Sequence, residues 1–168
     1  MNTSATPSLK RRLASMLYEA MLMFAVLFIS SLLFAALLEQ RHALYLRSIL
    51  QTWLFLLMGI YFIWFWTHGG QTLAMKTWRI RLETHGGEKV TVKRALVRYL
   101  LAWLWIVPGL AIAWVVGAKN WVSVLIPAVN ILLWGVSVYL DPQRQFLHDR
   151  LAGTRIVGLP DEKAGRKK

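Results

Sequence analysis

No cysteine occurs in the 168 residues of this sequence. Disulfides, thiolate metal sites and a cysteine nucleophile are therefore excluded, and the redox compartment stays open. Acidic residues are scarce: eight Asp and Glu stand against twenty Lys and Arg. The resulting charge of +12 has two ordinary readings, nucleic acid or an anionic membrane surface. A phosphate-cradling glycine-rich loop is also missing, since Gly69-Gly70 and Gly86-Gly87 are isolated pairs. There is no internal repeat and no low-complexity segment. Ser30 and Ser31 have no base near them in sequence, and His42, His68 and His85 are scattered. No catalytic constellation, resident metal or cofactor is expected, and an enzyme is not the favoured reading.

What the chain has in excess is apolar sequence, at 57%, too much for an ordinary soluble domain of this length. That decides the charge question for the membrane and against nucleic acid. A span needs about 20 apolar residues to cross roughly 30 Å of hydrocarbon, and four stretches qualify: 16–38, 49–66, 96–116 and 121–140. Lys10, Arg11 and Arg12 precede the first as they would a signal peptide, but a signal core is only about 7–15 residues long. The first stretch is longer, and no small-residue cleavage site follows it, so it reads as an uncleaved span. Spans three and four are separated only by Gly117, Ala118, Lys119 and Asn120 and must be antiparallel neighbours.

Basic residues orient the bundle. The N-terminal tail carries three, the 67–98 segment seven and the C-terminal tail seven, against two in the first loop and one, Lys119, in the third. Positive charge collects on the cytoplasmic side, so both termini and the 67–98 segment are expected there. Trp53, Trp114 and Trp121 fall near outer span ends, and Trp64 and Trp66 near the inner end of the second, where indole rings favour the interface. Trp103, Trp105 and Trp134 lie deeper and read as packing residues.

Within the 67–98 segment, Trp78, Ile80 and Leu82 alternate with Thr77, Arg79, Arg81 and Glu83, a period of two that predicts a half-buried strand. His85-Gly86-Gly87 reads as a turn. Val90 and Val92 then alternate with Lys89, Thr91 and Lys93, which predicts a β-hairpin over 77–92. Thr91 is also placed to cap the helix that becomes the third span. A hairpin alone is marginal, and a strand from Arg155 to Leu159 would be a third partner for it.

Glu19 is the most informative residue. An ionisable group inside a span costs about 2.5–3.5 kcal/mol near the centre, and less near the edge. Glu19 lies seven residues beyond Arg12, nearly two turns, so the two share one face, expected to turn inward. One reading is a proton- or cation-responsive carboxylate; the other is a structural carboxylate tied to Arg98 or Arg12. Arg98 sits a turn inside the third span, where it either snorkels to the interface or pairs with Glu19. Asn130, three residues after Pro127, and the Pro108-Gly109 interruption either line a substrate site or serve as interhelical glue and kink. Asp141, Arg144, His148 and Asp149 follow the fourth span. Spacings i, i+3 and i, i+4 put Arg144 on one helical face with Asp141 and His148, whereas adjacent His148 and Asp149 diverge. A juxtamembrane network including Thr154, rather than a metal site, is expected.

Three stretches together resemble the RDD family of prokaryotic membrane proteins, named for one Arg and two Asp: Arg12-Leu13-Ala14 with an acid seven positions after the Arg; Gly70-Gln71-Thr72-Leu73-Ala74-Met75-Lys76, followed later by Arg98; and Asp141-Pro142-Gln143-Arg144-Gln145-Phe146-Leu147-His148-Asp149-Arg150 with Thr154. The resemblance covers roughly 9–159. Glu19 stands where the family has an in-span Asp, and Ala74 where it has a second Gly. The resemblance implies a bacterial inner membrane and, for some members, movement of cations against protons.

The expected architecture is an all-α, four-helix transmembrane bundle with a small cytoplasmic β-hairpin: a tail at 1–15, a membrane domain at 16–159 and a charged tail at 160–168. The expected function is a small ion- or proton-coupled transporter, with Glu19 as titrating group and Arg12, Arg98 and Asn130 as candidate partners. The alternative is a scaffold, assembly factor or anionic-lipid-binding module. The partners expected are the lipid bilayer, anionic headgroups at the basic face and further copies of the chain, with no nucleic acid.

Overall fold

A computed structural model describes residues 6–37 and 46–160. The first loop, with Arg41 and His42, and the tail from 161 onward lie outside the described residues. Helix α1 spans Leu9–Leu37 and α2 Arg47–His68. A short α3 (Leu73–Thr77) leads into strand β1 (Ile80–Thr84). Then come α4 (Val92–Ala102), a 3-10 turn at Trp103–Trp105, α5 (Val107–Val115) and α6 (Val122–Val136), which tightens into a second 3-10 turn at Ser137–Leu140. The chain closes with α7 (Leu147–Leu151) and β2 (Thr154–Gly158).

Three helical stretches, Leu9–Leu37, Arg47–His68 and Val122–Tyr139, are long and apolar enough to cross a membrane. Two further pieces, Val92–Trp105 and Val107–Val115, meet the same test only together and are bent by 41° where they meet, so the described residues hold three candidate spans, or four if this pair is one span. The bend precedes Pro108 rather than falling on Pro108-Gly109. Pro108 occupies the first turn of α5, where its missing N–H costs nothing, so the ring starts a helix here. The 29 residues of α1 rise about 43 Å, more than the roughly 30 Å of a hydrocarbon core. Residues 9–15, expected in a tail, are the first turns of this helix.

Away from their polar first turns, the outward faces of these helices are largely apolar. Leu17, Phe24, Leu37, Ile60, Val124 and Leu132 are all exposed, and α6 buries none of its own residues. In water such surface would be untenable; against acyl chains it is the matched surface. Trp53, Trp64, Trp114 and Trp121 lie on it. Trp66 does not. It is buried at 4% exposure, its ring 4.2 Å beneath the guanidinium carbon of Arg98.

The expected hairpin does not form. β1 pairs antiparallel with β2, in the register Ile80↔Gly158 to Thr84↔Thr154, so the stretch expected as a third strand is the only partner β1 has among the described residues. Residues 85–88 do turn, with Gly87 N–H donating to Thr84 O and Thr84 N–H to Glu88 O. Thr91 then captures Arg94 N–H as the N-cap of α4, and helix begins at Val92. The capping hydroxyl competes with the strand for this short segment and wins, because the apolar residues that follow have helical spacing. Ile80, Leu82 and Ile156 on one face of the ribbon pack with Trp66, Met75, Val90, Ala95 and Tyr99. Across the strands, Arg155 Nη2 lies 2.8 Å from Glu83 Oε1.

This cap sits at the α1 N-terminal end of the bundle. Arg11 Nε donates to Trp78 O at 2.5 Å and its Nη2 to Arg79 O at 3.0 Å, which ties the start of α1 to the chain just before β1. α3 packs on α1, and α7 on α4. The 67–98 segment and the described residues that follow α6 therefore gather at one end of the molecule, with the start of α1 beside them.

Glycine sets two close approaches. At Gly109 an added Cβ would lie 2.7 Å from Pro127 Cα and 2.9 Å from Asn130 Cβ, so α5 and α6 touch backbone to backbone there. Gly70 has φ +69, and a Cβ on it would come 2.4 Å from Leu82 O, the residue whose N–H it accepts at 2.7 Å. Gly109→Val is expected to separate α5 from α6 at an overpacking cost of about 1–3 kcal/mol, read as a lower Tm in detergent. Gly69→Ala, at a position with nothing within 4 Å, should leave Tm unchanged. Equal Tm for both variants would refute the close approach.

Candidate functional site

Two polar groupings occupy the interior at the cap end. The first is built around Glu19. Nearly two turns separate it from Arg12, and both are buried, at 8% and 2% exposure, with Ser15 between them at 3%. The inward polar face expected of α1 is therefore real. Glu19 pairs with neither Arg12 nor Arg98. Tyr61 Oη donates to Glu19 Oε1 at 2.6 Å, and Thr72 Oγ1 donates to Glu19 Oε2. Thr72 does double duty, since its hydroxyl also accepts Met75 N–H at 3.2 Å as the N-cap of α3. One carboxylate thus joins α1, α2 and the start of α3. Hydroxyl donors satisfy it without bringing a second formal charge into the apolar interior, where an ion pair would carry a heavy desolvation cost.

The second grouping is centred on Asp149, which is fully buried. Arg98 Nε donates to its Oδ1 at 2.6 Å, so Arg98 neither snorkels nor meets Glu19. His148 Nε2 approaches the same oxygen at 3.5 Å, and Trp105 Nε1 donates to His148 Nδ1 at 3.1 Å. The indole N–H fixes the tautomer: Nδ1 accepts, so the imidazole proton sits on Nε2, facing Asp149. Thr154 Oγ1 closes the arrangement by donating to Asp149 O at 3.1 Å. Arg12 approaches from α1, with its guanidinium carbon 4.9 Å from the Phe146 ring centroid. Among the described residues its Nε and Nη1 have no hydrogen-bond partner, and neither does Asp149 Oδ2.

Burial pushes the His148 imidazole down to about 4, with Arg98 acting in the same direction and Asp149 opposing it. The ring is therefore neutral at pH 7. Adjacent His148 and Asp149 converge after all, because α7 is only five residues long and its first turn faces both α4 and Trp105. Among the described residues no group of three metal-ligating side chains is close enough to hold an ion.

The juxtamembrane residues divide. Arg144 is not helical: it sits in a turn at φ 51, with its N–H on Asp141 O, so the shared helical face with Asp141 and His148 does not exist. Asp141 caps the turn instead, accepting Gln145 N–H at 2.9 Å and Arg150 Nη1 at 3.3 Å. Asn130 is glue: its amide donates to Trp105 O at 2.6 Å and Leu104 O at 3.3 Å, carbonyls that the break in the third span releases from helical bonding.

Sequence reasoning missed Tyr61, Trp105 and Phe146. The last stands inside the Asp141–Arg150 stretch, and Thr72 inside the Gly70–Lys76 stretch, so a motif pointed near both. Nothing in the sequence separates Tyr61 or Trp105 from the many other aromatic residues around them.

Both groupings face one cavity of about 390 Å³ between the helices. Arg12, Ser15, Glu19, Thr72, Arg98 and His148 supply its polar lining. The remaining walls are apolar side chains of α1, α2, α4, α6 and the cap.

Removing one partner of a buried ion pair strands the other charge. Asp149→Asn is expected to destabilise the protein by about 3–5 kcal/mol, with thermal unfolding in detergent as the measure; an unchanged Tm would mean that the pair is dispensable. Acid should have a separate effect through His148. In the unfolded chain this ring titrates near its ordinary 6.5, and in the folded protein near 4. Between those values the unfolded state holds a proton that the folded state does not. Stability is thus complete above about pH 6.5 and falls as the pH drops toward 4. His148→Gln should flatten Tm against pH in that window, and an identical slope in the variant would place the acid sensitivity elsewhere.

No curated protein and no solved structure matches the chain. The model of the RDD family matches residues 6–153, a range that takes in Arg12, Glu19, the Gly70–Lys76 stretch, Arg98 and the Asp141–Arg150 stretch. With most of its length matched, and with Arg12, Glu19, Thr72, Arg98, His148 and Asp149 among the matched residues, this membrane protein belongs to the RDD family.

Proposed function

We propose that this protein is a small ion- or proton-coupled transporter of the bacterial inner membrane, working through the cavity between its spans. The observation that carries the reading is Glu19, an intramembrane carboxylate on the wall of an interior cavity that it shares with Arg12 and Arg98. Ionisable groups inside spans are costly and mark transport pathways more often than lipid-facing surface. The two hydroxyl partners of Glu19 suit a titrating role, since a hydroxyl can donate a hydrogen bond to the carboxylate or accept one from the protonated acid. The gathering of the basic segments at one end supports an orientation with both termini and the cap in the cytoplasm. Four spans are few for an alternating-access carrier. The apolar face of α6, which packs no buried residue of its own, is the surface on which a second copy is proposed to dock.

The same hydroxyl bonds favour a second reading. A carboxylate that ties α1 to α2 and α3 is also what a non-transporting scaffold or lipid-binding module would use to hold its shape. Glu19→Gln separates the two, because an amide can still bond both hydroxyls but cannot titrate. In proteoliposomes, wild type is expected to show a pH-dependent cation flux that vanishes in Glu19→Gln while yield and Tm are kept. Flux that survives in a folded Glu19→Gln protein would remove Glu19 as the titrating group, and no flux of any common cation from folded wild type would overturn the transport reading. Loss of fold in Glu19→Gln would favour the scaffold.

A further inference from the structure

Among the charged groups lining the cavity, Arg12 is the one with no hydrogen-bond or ion-pair partner for its side chain among the described residues. Glu19 has Tyr61 and Thr72, Arg98 has Asp149, and His148 has Trp105. Arg12 has the Phe146 ring, yet two of its three guanidinium nitrogens make no hydrogen bond at 2% exposure. Asp149 attracts it and has an unpaired Oδ2 of its own, but that carboxylate lies beyond ion-pair reach of Arg12 and its Oδ1 already receives Arg98. A buried guanidinium with unmet donors is among the costliest arrangements an interior can hold, so an acceptor is missing from the picture.

The cavity says what kind of acceptor. Apart from its polar patch it is walled by Met23, Met58, Phe62, Met75, Ile106 and Ile131, among others. Water filling such a space would find few partners beyond the patch, and apolar cavities stay dry. A volume of about 390 Å³ falls in the range of small-molecule sites, about 300–1,000 Å³. Methionine side chains adapt to irregular apolar shapes. A guanidinium fork matches the paired oxygens of a carboxylate or phosphate. Ser15, one turn further along the same face of α1, lines the cavity beside it.

We propose that the cavity binds an amphipathic anion, with a carboxylate or phosphate head on Arg12 and an apolar tail along the methionine-rich walls. The inference concerns binding and holds whether or not the ligand is moved, so failure of the flux experiment leaves it standing.

The test uses cis-parinaric acid, a fatty acid whose tetraene takes up tryptophan emission; Trp66, Trp103 and Trp105 line the cavity. Titration of detergent-purified full-length protein is expected to give saturable energy transfer at one acid per chain. Its methyl ester, with the same tail and no charge, should bind at least tenfold more weakly. Dodecyl phosphate should displace the acid, and inorganic phosphate at the same concentration should not. Arg12→Gln should weaken the acid at least tenfold while leaving the ester unchanged, and Arg12→Lys should fall between. Ala102→Phe fills the cavity from α4 without touching a charge, and should abolish binding of both probes. Equal affinity for acid and ester would overturn the proposal by reducing the cavity to an apolar slot. Displacement by inorganic phosphate would overturn it by making the site one for a free anion. Should Arg12→Gln not fold, undiminished binding in folded Ala102→Phe would overturn it as well.

Discussion

The ion pair between Arg98 and Asp149 lies where the third span, the segment after the fourth span and the first turns of α1 come together, and the rest of the interior is arranged around it. Asp149 is fully buried, so its charge is tolerable only with a cation in contact. Arg98 meets that need and is itself held by Trp66 beneath it. That contact draws Trp66 inward from the interface. It also seats α7 against α4, which brings His148 to Trp105 and β2 to β1. The cap at this end of the bundle is therefore more than a hairpin resting under helices: its second strand arrives with the residue that neutralises Arg98.

Glu19 answers a similar problem in a different way. Its carboxylate is met by two hydroxyls rather than a cation, which leaves the group near neutral partners and free of a competing formal charge. Because Thr72 is also the cap of α3, the chemistry at Glu19 is coupled mechanically to the turn that leads from the second span into β1. The hydroxyl that meets Glu19 also holds a helix start, and that helix start leads into the ribbon. The extra methylene of Glu, where the family has Asp, lengthens the reach from α1 to these hydroxyls. Ala74, where the family has Gly, is wholly buried in α3, so its methyl group is accommodated against the neighbouring elements.

The two groupings leave a cavity with an uneven economy of charge. Every lining charge but one is matched by a protein atom, and the unmatched one is on the face of α1 that also carries Glu19. A site that transports and a site that binds a lipid-like anion both need such an opening among the helices.

Much of this was legible in the sequence, for definite physical reasons. Long apolar runs and the distribution of Lys and Arg are properties of the chain against its solvent, so span positions and the clustering of basic segments needed no contacts to be read. The inward face of Arg12 and Glu19 followed from helical period alone, and the Thr91 cap from one hydroxyl at the start of a helix. Pairing was another matter. Arg98 was within plausible reach of Glu19, and only the packing of α7 onto α4 awarded it to Asp149 instead. The second strand was expected next door and came from a stretch some seventy positions away, because Thr91 diverted the nearer segment into helix. Composition, period and caps are local or solvent-facing properties, and the sequence by itself determined them. Partners for buried charges depend on which distant surfaces meet, and that only the tertiary structure decided.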